Sequence, residues 1–317
     1  MKKIQLVEIA SELGAGTRGS SLGIAALKIA SMNSDSDYFA RHTSIVVPTE
    51  NQVLFGKKDQ SFAKNISTNI KVMRGLCASL KQVLNDKSFP LVLAGDHSTA
   101  AATIAGIKSA HPDKRLGVIW IDAHADLHTP YTSPSGNVHG MPLAMALGED
   151  NLEKKRNEVS EEIKQHWSDI KMLAGISPNI DSRDLVFMGV RDTEEEEDYL
   201  IAKNNIKTYS VSEIRVAGIE STIADTNDYL KDCDLIYISF DVDSMDGDYV
   251  SHGTGTPVSI GFSEEEATQL VTQLLKNDKV CCLEITEVNP TLDEKCNLMA
   301  ETAFRILEKA TKTIEGA

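Results

Sequence analysis

Five short apolar segments, each followed directly by polar residues, most constrain how this chain can fold. Predominantly apolar runs of this length indicate strands that are buried on both faces, as in a parallel sheet. Helical patterns lie between them, for example the apolar stripe over 70–84 and the capping box from Ser263 to Glu266. This alternation predicts three α/β/α layers around a central, mostly parallel sheet. The predicted strands are 91–94, 116–121, 185–188, 235–240 and 280–285.

We expect residues 1–317 to form one such domain, because neither an internal repeat nor a Gly/Ser-rich linker divides the chain. The charged segment 149–182 has helical propensity but only a thin apolar face. It therefore predicts a surface excursion rather than a second domain. The last helix is expected from Leu298 to roughly Lys309.

Charge and cysteine content exclude several classes of protein. With 32 basic against 47 acidic residues, the net charge is −15, so no positive surface dominates that could bind a nucleic-acid backbone. The five cysteines are odd in number and lack C-x-x-C spacing, which indicates neither a disulfide framework nor a zinc ribbon. No run approaches the roughly 18 apolar residues of a membrane span. We expect a cytoplasmic protein with no nucleic-acid or membrane partner.

An Asp-x-His-x-Asp motif directly follows the strand predicted at 116–121. Alternate side chains of an extended segment point the same way, so Asp122, His124 and Asp126 could all face one site. Two carboxylates and an imidazole crowded together require a cation among them, since the carboxylates otherwise repel each other. An acidic turn that caps the next helix would explain Asp126, but not His124 or the apolar segment before the motif.

Two further strand ends carry side chains of the same kind. Asp241 and Asp243 follow the strand at 235–240, with Val242 expected to point into the core, and His97 follows the strand at 91–94. A lone histidine or Asp-x-Asp pair is weak evidence, but three such strand ends together are specific. Carboxylate and imidazole donors without thiolate favour an ion such as Mn²⁺ over a structural zinc.

Six donors are too many for one open catalytic ion. They suit two ions that share bridging carboxylates, about 3.5–4 Å apart, with a bridging hydroxide as the nucleophile. The predicted metal ligands are His97, Asp122, His124, Asp126, Asp241 and Asp243.

Four blocks of the sequence resemble the signature of the ureohydrolase superfamily, and within it of the arginases, in the same order. The resemblance extends over nearly the whole chain and implies an arginase/deacetylase-like fold. It also implies an amidinohydrolase that cleaves L-arginine to L-ornithine and urea with two Mn²⁺ per chain, in a homotrimer or hexamer. The blocks are GDHS at 95–98, DAHADLHTPYTSPSGNVHGMPLA at 122–144, SFDVDSMDGDYVSHGTGTPVSIG at 239–261 and EVNP at 287–290.

By position, the resemblance implies catalytic roles for individual residues. Asp126 would hold the remaining hydrogen of the hydroxide and pass the proton to the leaving amine. His139 matches the proton-shuttling histidine of the family, and Glu287 matches the carboxylate that pairs with the substrate guanidinium. One manganese would be held by His97, Asp122, Asp126 and Asp241, and the other by His124, Asp122, Asp241 and Asp243.

The resemblance also implies a pocket for the amino-acid head group of the substrate. Ser135 and Asn137 match the loop that contacts the α-carboxylate, whereas Glu194 and Glu197 match acidic positions near the α-amino group. Their neighbours Glu195 and Glu196 could equally belong to a solvated acidic loop.

Two departures from the arginase pattern fall in this pocket. His128 stands where arginases usually carry Asn, and Glu194 stands where Asp is usual, so the head-group pocket could be reshaped. An imidazole at 128 could still donate to the substrate carboxylate. Outside the pocket, segment 149–182 is longer than in typical arginases, and Ser244-Met245-Asp246-Gly247 replaces the usual Gly-Leu-Asp-Pro.

Other functions stay open on the sequence. An agmatinase or guanidino-acid ureohydrolase would keep every metal ligand and change only the head-group pocket. A noncatalytic regulatory protein of the same fold would be expected to have lost ligands, and all six are present. A zinc deacetylase of related fold would not need the doubled set of carboxylates.

Overall fold

The computed structural model describes residues 2–57, 59 and 61–316, and its strands form one eight-stranded sheet. The sheet order is β2-β1-β3-β8-β7-β4-β5-β6, and every pairing is parallel. This confirms the predicted parallel sheet. The strands are β1 (Ile4–Ile9), β2 (Ser44–Val46), β3 (Phe89–Ala94), β4 (Leu116–Ile121), β5 (Leu185–Met188), β6 (Lys207–Tyr209), β7 (Leu235–Asp241) and β8 (Val280–Thr286).

Helices cover both faces of this sheet, which confirms the predicted three-layer arrangement. Helices α1 and α8 to α11 pack on one face, and α3 to α7 pack on the other. The helices are α1 (Gly23–Asn33), α2 (Tyr38–Arg41), α3 (Ile66–Asn85), α4 (Ala100–Ala110), α5 (Pro142–Leu147), α6 (Glu161–Lys171), α7 (Glu195–Lys203), α8 (Val211–Ala217), α9 (Ile219–Tyr229), α10 (Glu264–Leu274) and α11 (Leu298–Glu315).

Strand β4 shows why the central strands are apolar at nearly every position. Its Ile119 and Ile121 belong to the core on one face, whereas Val118 and Trp120 belong to the core on the other. Successive side chains of a strand point to opposite faces, so a sheet covered on both sides needs apolar residues at both.

Two helical segments differ from expectation. The last helix continues to Glu315 rather than ending near Lys309, because Ala310 and Ile314 extend its buried stripe. Helix α6 lies in the charged segment 149–182, and its Trp167 and Ile170 are buried in the core. The apolar face of α6 is narrow, yet it forms part of the helical layer. Among the described residues, no helix has the length and apolar character to cross a membrane.

The sheet order explains where a site can form. Strands β3, β8, β7, β4 and β5 are consecutive neighbours, and their carboxyl ends all lie at one edge of the parallel sheet. Side chains that follow these five strands are therefore brought together although they are far apart in sequence.

Candidate active site

The first group of predicted ligands surrounds the imidazole of His97. Its Nδ1 lies 3.0 Å from Asp122 Oδ2, 3.2 Å from Asp126 Oδ2 and 3.1 Å from Asp241 Oδ2. These four residues come from the ends of β3, β4 and β7 and are all buried. The structure thus brings together the whole set predicted for the first ion.

Contacts on its other sides fix the orientation of His97. The Nε2 atom lies 2.7 Å from Ser239 Oγ, and the ring stacks on Trp120 with centroids 4.1 Å apart. An Nε2–H that donates to Ser239 leaves Nδ1 with a lone pair directed at three carboxylates. His97 Nδ1 and Asp122 Oδ2 are buried without a hydrogen-bond partner. Such orphaned acceptors are costly unless a cation lies between them, so the site fits a bound metal ion.

The second group contains Asp122, His124 and Asp243, with one donor atom of each within 4.8 Å of the others. His124 Nδ1 lies 3.1 Å from Asp243 Oδ2 and 3.5 Å from Asp122 Oδ1. Asp122 belongs to both groups, as expected of a bridging carboxylate. Asp241 is not among the three residues of this group, and its Oδ1 accepts the backbone N–H of Asp243 at 2.8 Å. Its predicted role as a second bridge stays a prediction.

Asp126, Asp241 and Asp243 oppose their own ionisation when no cation is present, whereas His124 and His97 outweigh the burial of Asp122 and lower its pKa. Burial and the neighbouring Asp122 raise the pKa of Asp126 to about 6. Burial, together with Asp243 and Asp122, raises the pKa of Asp241 well above its usual value. Four buried carboxylates held this closely are typical of a site completed by divalent cations.

The backbone reaches this arrangement through turns rather than through the extended segments that the spacing of two assumed. Asp126 has a φ of 51°, in the left-handed region. Asp243 lies in a short 3₁₀ turn, Val242–Ser244. Val242 is buried in the core, as predicted. Left-handed conformations of non-glycine residues cost free energy and concentrate at functional sites.

His139 and Glu287 form a pair beside the first group. His139 Nδ1 lies 3.1 Å from Glu287 Oε1, and the same oxygen accepts the backbone N–H of His97 at 2.8 Å. Burial opposes a charge on His139, but Glu287 outweighs it and raises the pKa of the imidazole. His139 occupies a short 3₁₀ turn, Val138–Gly140, and its backbone N–H donates to Gly14. It is held more firmly than its Gly-rich surroundings suggest.

The acidic run 194–197 is not a solvated loop. Glu194 is the N-cap of α7 and forms a capping box with Glu197, whose buried carboxylate also accepts the Leu127 N–H at 3.0 Å. Burial raises the pKa of Glu197 to about 7. Glu195 and Glu196 lie in the first turn of α7 and pair with Lys154 and Arg156. Glu195 is solvated, as the alternative allowed, whereas Glu196 is buried.

Arg191 is a site-supporting residue that the sequence did not single out. Its guanidinium donates to backbone carbonyls from the loops after β5 and β7, including that of Asp243 at 3.0 Å. The other acceptors are the carbonyls of Gly189, Ser244, Met245, Val258 and Ser259. Arg191 therefore fixes the loop that carries Asp243.

Asp96 is a second supporting residue that the sequence did not single out. Its carboxylate accepts the backbone N–H groups of Gly14 and Ser98, both at 2.9 Å, and so orders the turn that presents His97. A short polar residue immediately before a predicted ligand was the one available signal.

All predicted catalytic and substrate residues line one pocket of about 310 Å³. Both metal groups line it, together with Ser135, Asn137, His128, Glu194 and Glu197. Its wall contains eight carboxylates and, among the described residues, neither Lys nor Arg. Lining residues that the sequence did not single out are Ser133, Pro134, Gly140, Asp192, Thr193 and Thr256.

A family model described as the arginase family matches residues 2–312. The chain is similar to arginase of Bacillus subtilis (strain 168), with 34% identity over 310 residues that cover 97% of each protein. A crystal structure of Bacillus subtilis arginase matches with a TM-score of 0.80 over 98% of both chains. Entamoeba histolytica arginase in complex with L-ornithine matches with a TM-score of 0.82, 26% identity and 100% coverage of both chains. The similarity spans nearly the whole molecule.

Proposed function

Because the chain belongs to the arginase family of amidinohydrolases, we propose that it hydrolyses L-arginine to L-ornithine and urea at this pocket. The observation that carries the proposal is the pair of ligand groups that share Asp122 at one end of a single acidic pocket. Relatives at this level of similarity are themselves named arginases.

We propose that the two groups hold two Mn²⁺. Hard carboxylate oxygens with one imidazole at each position suit this ion. His97, Asp126, Asp122 and Asp241 would hold one ion, and His124, Asp243 and the shared aspartates the other. Bound there, the ions would supply a hydroxide nucleophile near neutral pH, because they lower the pKa of water.

The remaining residues would bind the guanidinium and move protons. The Glu287 carboxylate, only 2% exposed, would pair with a guanidinium that otherwise enters the pocket uncompensated. Asp126 would take up a proton and deliver it to the leaving amine. The His139 side chain, 18% exposed, would exchange protons with solvent through its imidazole nitrogens.

The pocket residues outside the two metal groups would hold the amino-acid head group. The α-carboxylate would accept hydrogen bonds from Ser135, Asn137 and His128, and Glu194 and Glu197 would attract the α-ammonium group. Asn137 is oriented for this role, because its Oδ1 accepts from Lys64 Nζ at 3.0 Å and its amide N–H groups remain as donors. We further propose that residues 1–317 act as one catalytic domain within a homotrimer or hexamer.

The test is product formation by protein loaded with Mn²⁺. Urea and L-ornithine should appear in equal amounts from L-arginine, and chelation of the metal should abolish both. Glu195→Gln provides a surface control, because it changes an exposed carboxylate of the same acidic run and should leave turnover unchanged. No urea from L-arginine under metal-loaded conditions would contradict the proposal.

A further inference from the structure

A third group of metal-type donors lies in the same pocket, apart from the six predicted ligands. His128, Glu194 and Glu197 each contribute one donor atom, and these atoms lie within 4.8 Å of one another. The side chains of His128 and Glu197 are only 8% and 6% exposed, whereas Glu194 is half exposed. Two donors are therefore fixed in the wall, and the third can adjust to a ligand.

Hydrogen bonding determines which nitrogen of His128 faces the two carboxylates. Its Nδ1 lies 3.2 Å from Thr132 Oγ1, which also accepts the backbone N–H of Thr129 at 3.0 Å. The hydroxyl of Thr132 can donate its own hydrogen to Thr129 Oγ1 at 3.4 Å. Thr132 can therefore accept a hydrogen from His128 Nδ1, which is the outer hydrogen bond that a metal-bound histidine makes, and Nε2 faces the two carboxylates in either tautomer.

His128 Nε2 contacts Glu194 Oε2 and lies 3.6 Å from Glu197 Oε2. Glu197 cannot turn away easily, because its carboxylate also accepts the N–H groups of Leu127 and Glu194. An Nε2–H of His128 can donate to these carboxylates, and a metal ion can replace that hydrogen at the same three donor atoms.

The many carboxylates of the pocket favour the binding of a cation. The pocket contains eight carboxylates, and two divalent ions would balance only the four aspartates among the predicted ligands. The other carboxylates are those of Asp192, Glu194, Glu197 and Glu287, with neither Lys nor Arg in the described pocket wall. With two divalent ions bound, the described pocket wall therefore still has carboxylates without a positive partner, among them Glu194 and Glu197 beside His128.

We propose that His128, Glu194 and Glu197 form a third, inhibitory site for a divalent cation, with Zn²⁺ preferred over Mn²⁺. One imidazole and two carboxylates form a donor set that zinc accepts, and sites with nitrogen donors generally bind Zn²⁺ more tightly than Mn²⁺. An ion there occupies the region proposed for the α-ammonium group of the substrate. Binding of the ion stands on the geometry alone, whereas its competition with L-arginine rests on the proposed function.

The binding is tested by counting ions in Mn²⁺-loaded protein dialysed against Zn²⁺. The sum of zinc and manganese per chain is measured, because this sum does not change when zinc replaces manganese at the first two positions. We expect three ions in the wild type and two in His128→Asn. A sum of two in the wild type, or of three in His128→Asn, overturns the site and leaves a His128 that only hydrogen-bonds to the two carboxylates.

His42→Asn is the matched control for this count. His42 is equally buried, and its Nε2 lies 3.1 Å from a single carboxylate oxygen, that of Glu315. The His42→Asn variant should retain three ions, because one carboxylate and one imidazole bind a metal ion poorly. A second pair of variants compares Glu194→Gln with Glu195→Gln. Glu194→Gln should weaken the binding of the third ion by about tenfold or more, and Glu195→Gln should leave its affinity unchanged.

Steady-state kinetics test whether the third ion competes with L-arginine. Low Zn²⁺ should raise the KM for L-arginine in the wild type without lowering kcat, and His128→Asn should abolish this effect. A fall in kcat that is the same in both proteins overturns competitive inhibition at this site, because it indicates replacement of the catalytic ions. If L-arginine is not turned over at all, the proposed function fails, and the ion count still decides the site.

Discussion

Glu287→Gln removes one negative charge from the pocket while leaving its shape nearly unchanged. The carboxylate is 2% exposed, and its Oε1 lies 2.8 Å from the His97 N–H and 3.1 Å from His139 Nδ1. The amide oxygen of Gln can still accept from the His97 N–H. What is lost is the counter-charge for the guanidinium, which would then be buried without a partner.

Removing one partner of a buried ion pair costs about 3–5 kcal/mol. At 1.36 kcal/mol for each factor of ten, kcat/KM for L-arginine should fall roughly 10²- to 10³·⁵-fold. The two metal ions should remain bound, because Glu287 is not a predicted ligand. The assay is steady-state urea release, together with metal analysis of the same preparation.

Glu284→Gln is the control for this prediction, since Glu284 is a buried glutamate on the preceding strand that does not line the pocket. It accepts from Thr103 Oγ1 at 2.5 Å and from the Tyr237 hydroxyl at 2.9 Å, and burial raises its pKa. The Glu284→Gln variant should keep kcat/KM for L-arginine near the wild-type value. The pairing of Glu287 with the guanidinium would be refuted if Glu287→Gln kept kcat/KM within about threefold of the wild-type value instead of the expected fall.

The same geometry leads to four further predictions. Asp126→Ala and His124→Ala should each lose metal and activity together, and near-normal turnover in Asp126→Ala would exclude its roles as ligand and proton acceptor. His139→Asn should lower kcat by ~10²–10⁴ with metal content unchanged, so that a loss of metal would reassign it as a ligand. Lys64→Met should raise the KM for L-arginine about tenfold, because Asn137 loses a charge-assisted hydrogen bond. The kinetics with agmatine should not change. Equal effects on both substrates would contradict the role of Asn137. Removal of metal by a chelator should lower Tm by about 12 °C when both ions had been present at 1,000 times their Kd, since each ion then stabilises by ~4 kcal/mol. A Tm that does not recover with Mn²⁺ would argue against the two-ion site.

The central strands could be predicted because burial on both faces leaves a clear pattern in the sequence. Residues 116–121 and 185–188 coincide with β4 and β5. The edge strands β2 and β6 could not be predicted in this way, because each has three residues and neither contains a fully buried position.

The clustering of the six donors could be expected from strand ends alone, but their mutual arrangement could not. The neighbour relations of β3, β8, β7 and β4 depend on the topology of the sheet, which the spacing of motifs does not encode. The left-handed backbone at Asp126 is likewise invisible in a motif read as an extended segment.

The hydrogen-bond partners of the site residues were the hardest part of the structure to predict. Glu194 and Glu197 were assigned to substrate binding, and the structure also places them in the capping box of α7. Arg191 acts through backbone carbonyls of a distant loop, and such acceptors have no sequence signature.

The proposed hydrolysis of L-arginine is tested most directly by comparing kcat/KM for three substrates on Mn²⁺-loaded protein. Agmatine lacks the α-carboxylate and 4-guanidinobutyrate lacks the α-amino group, so each leaves polar groups of the head-group pocket unpaired. His128 would lose its partner with agmatine and Glu197 with 4-guanidinobutyrate, and both residues are buried. Leaving a buried group unpaired costs about 1–3 kcal/mol, so we predict that L-arginine is preferred by on the order of 10²-fold or more. Equal or better turnover of agmatine or 4-guanidinobutyrate would contradict the arginase activity and leave only a broader ureohydrolase.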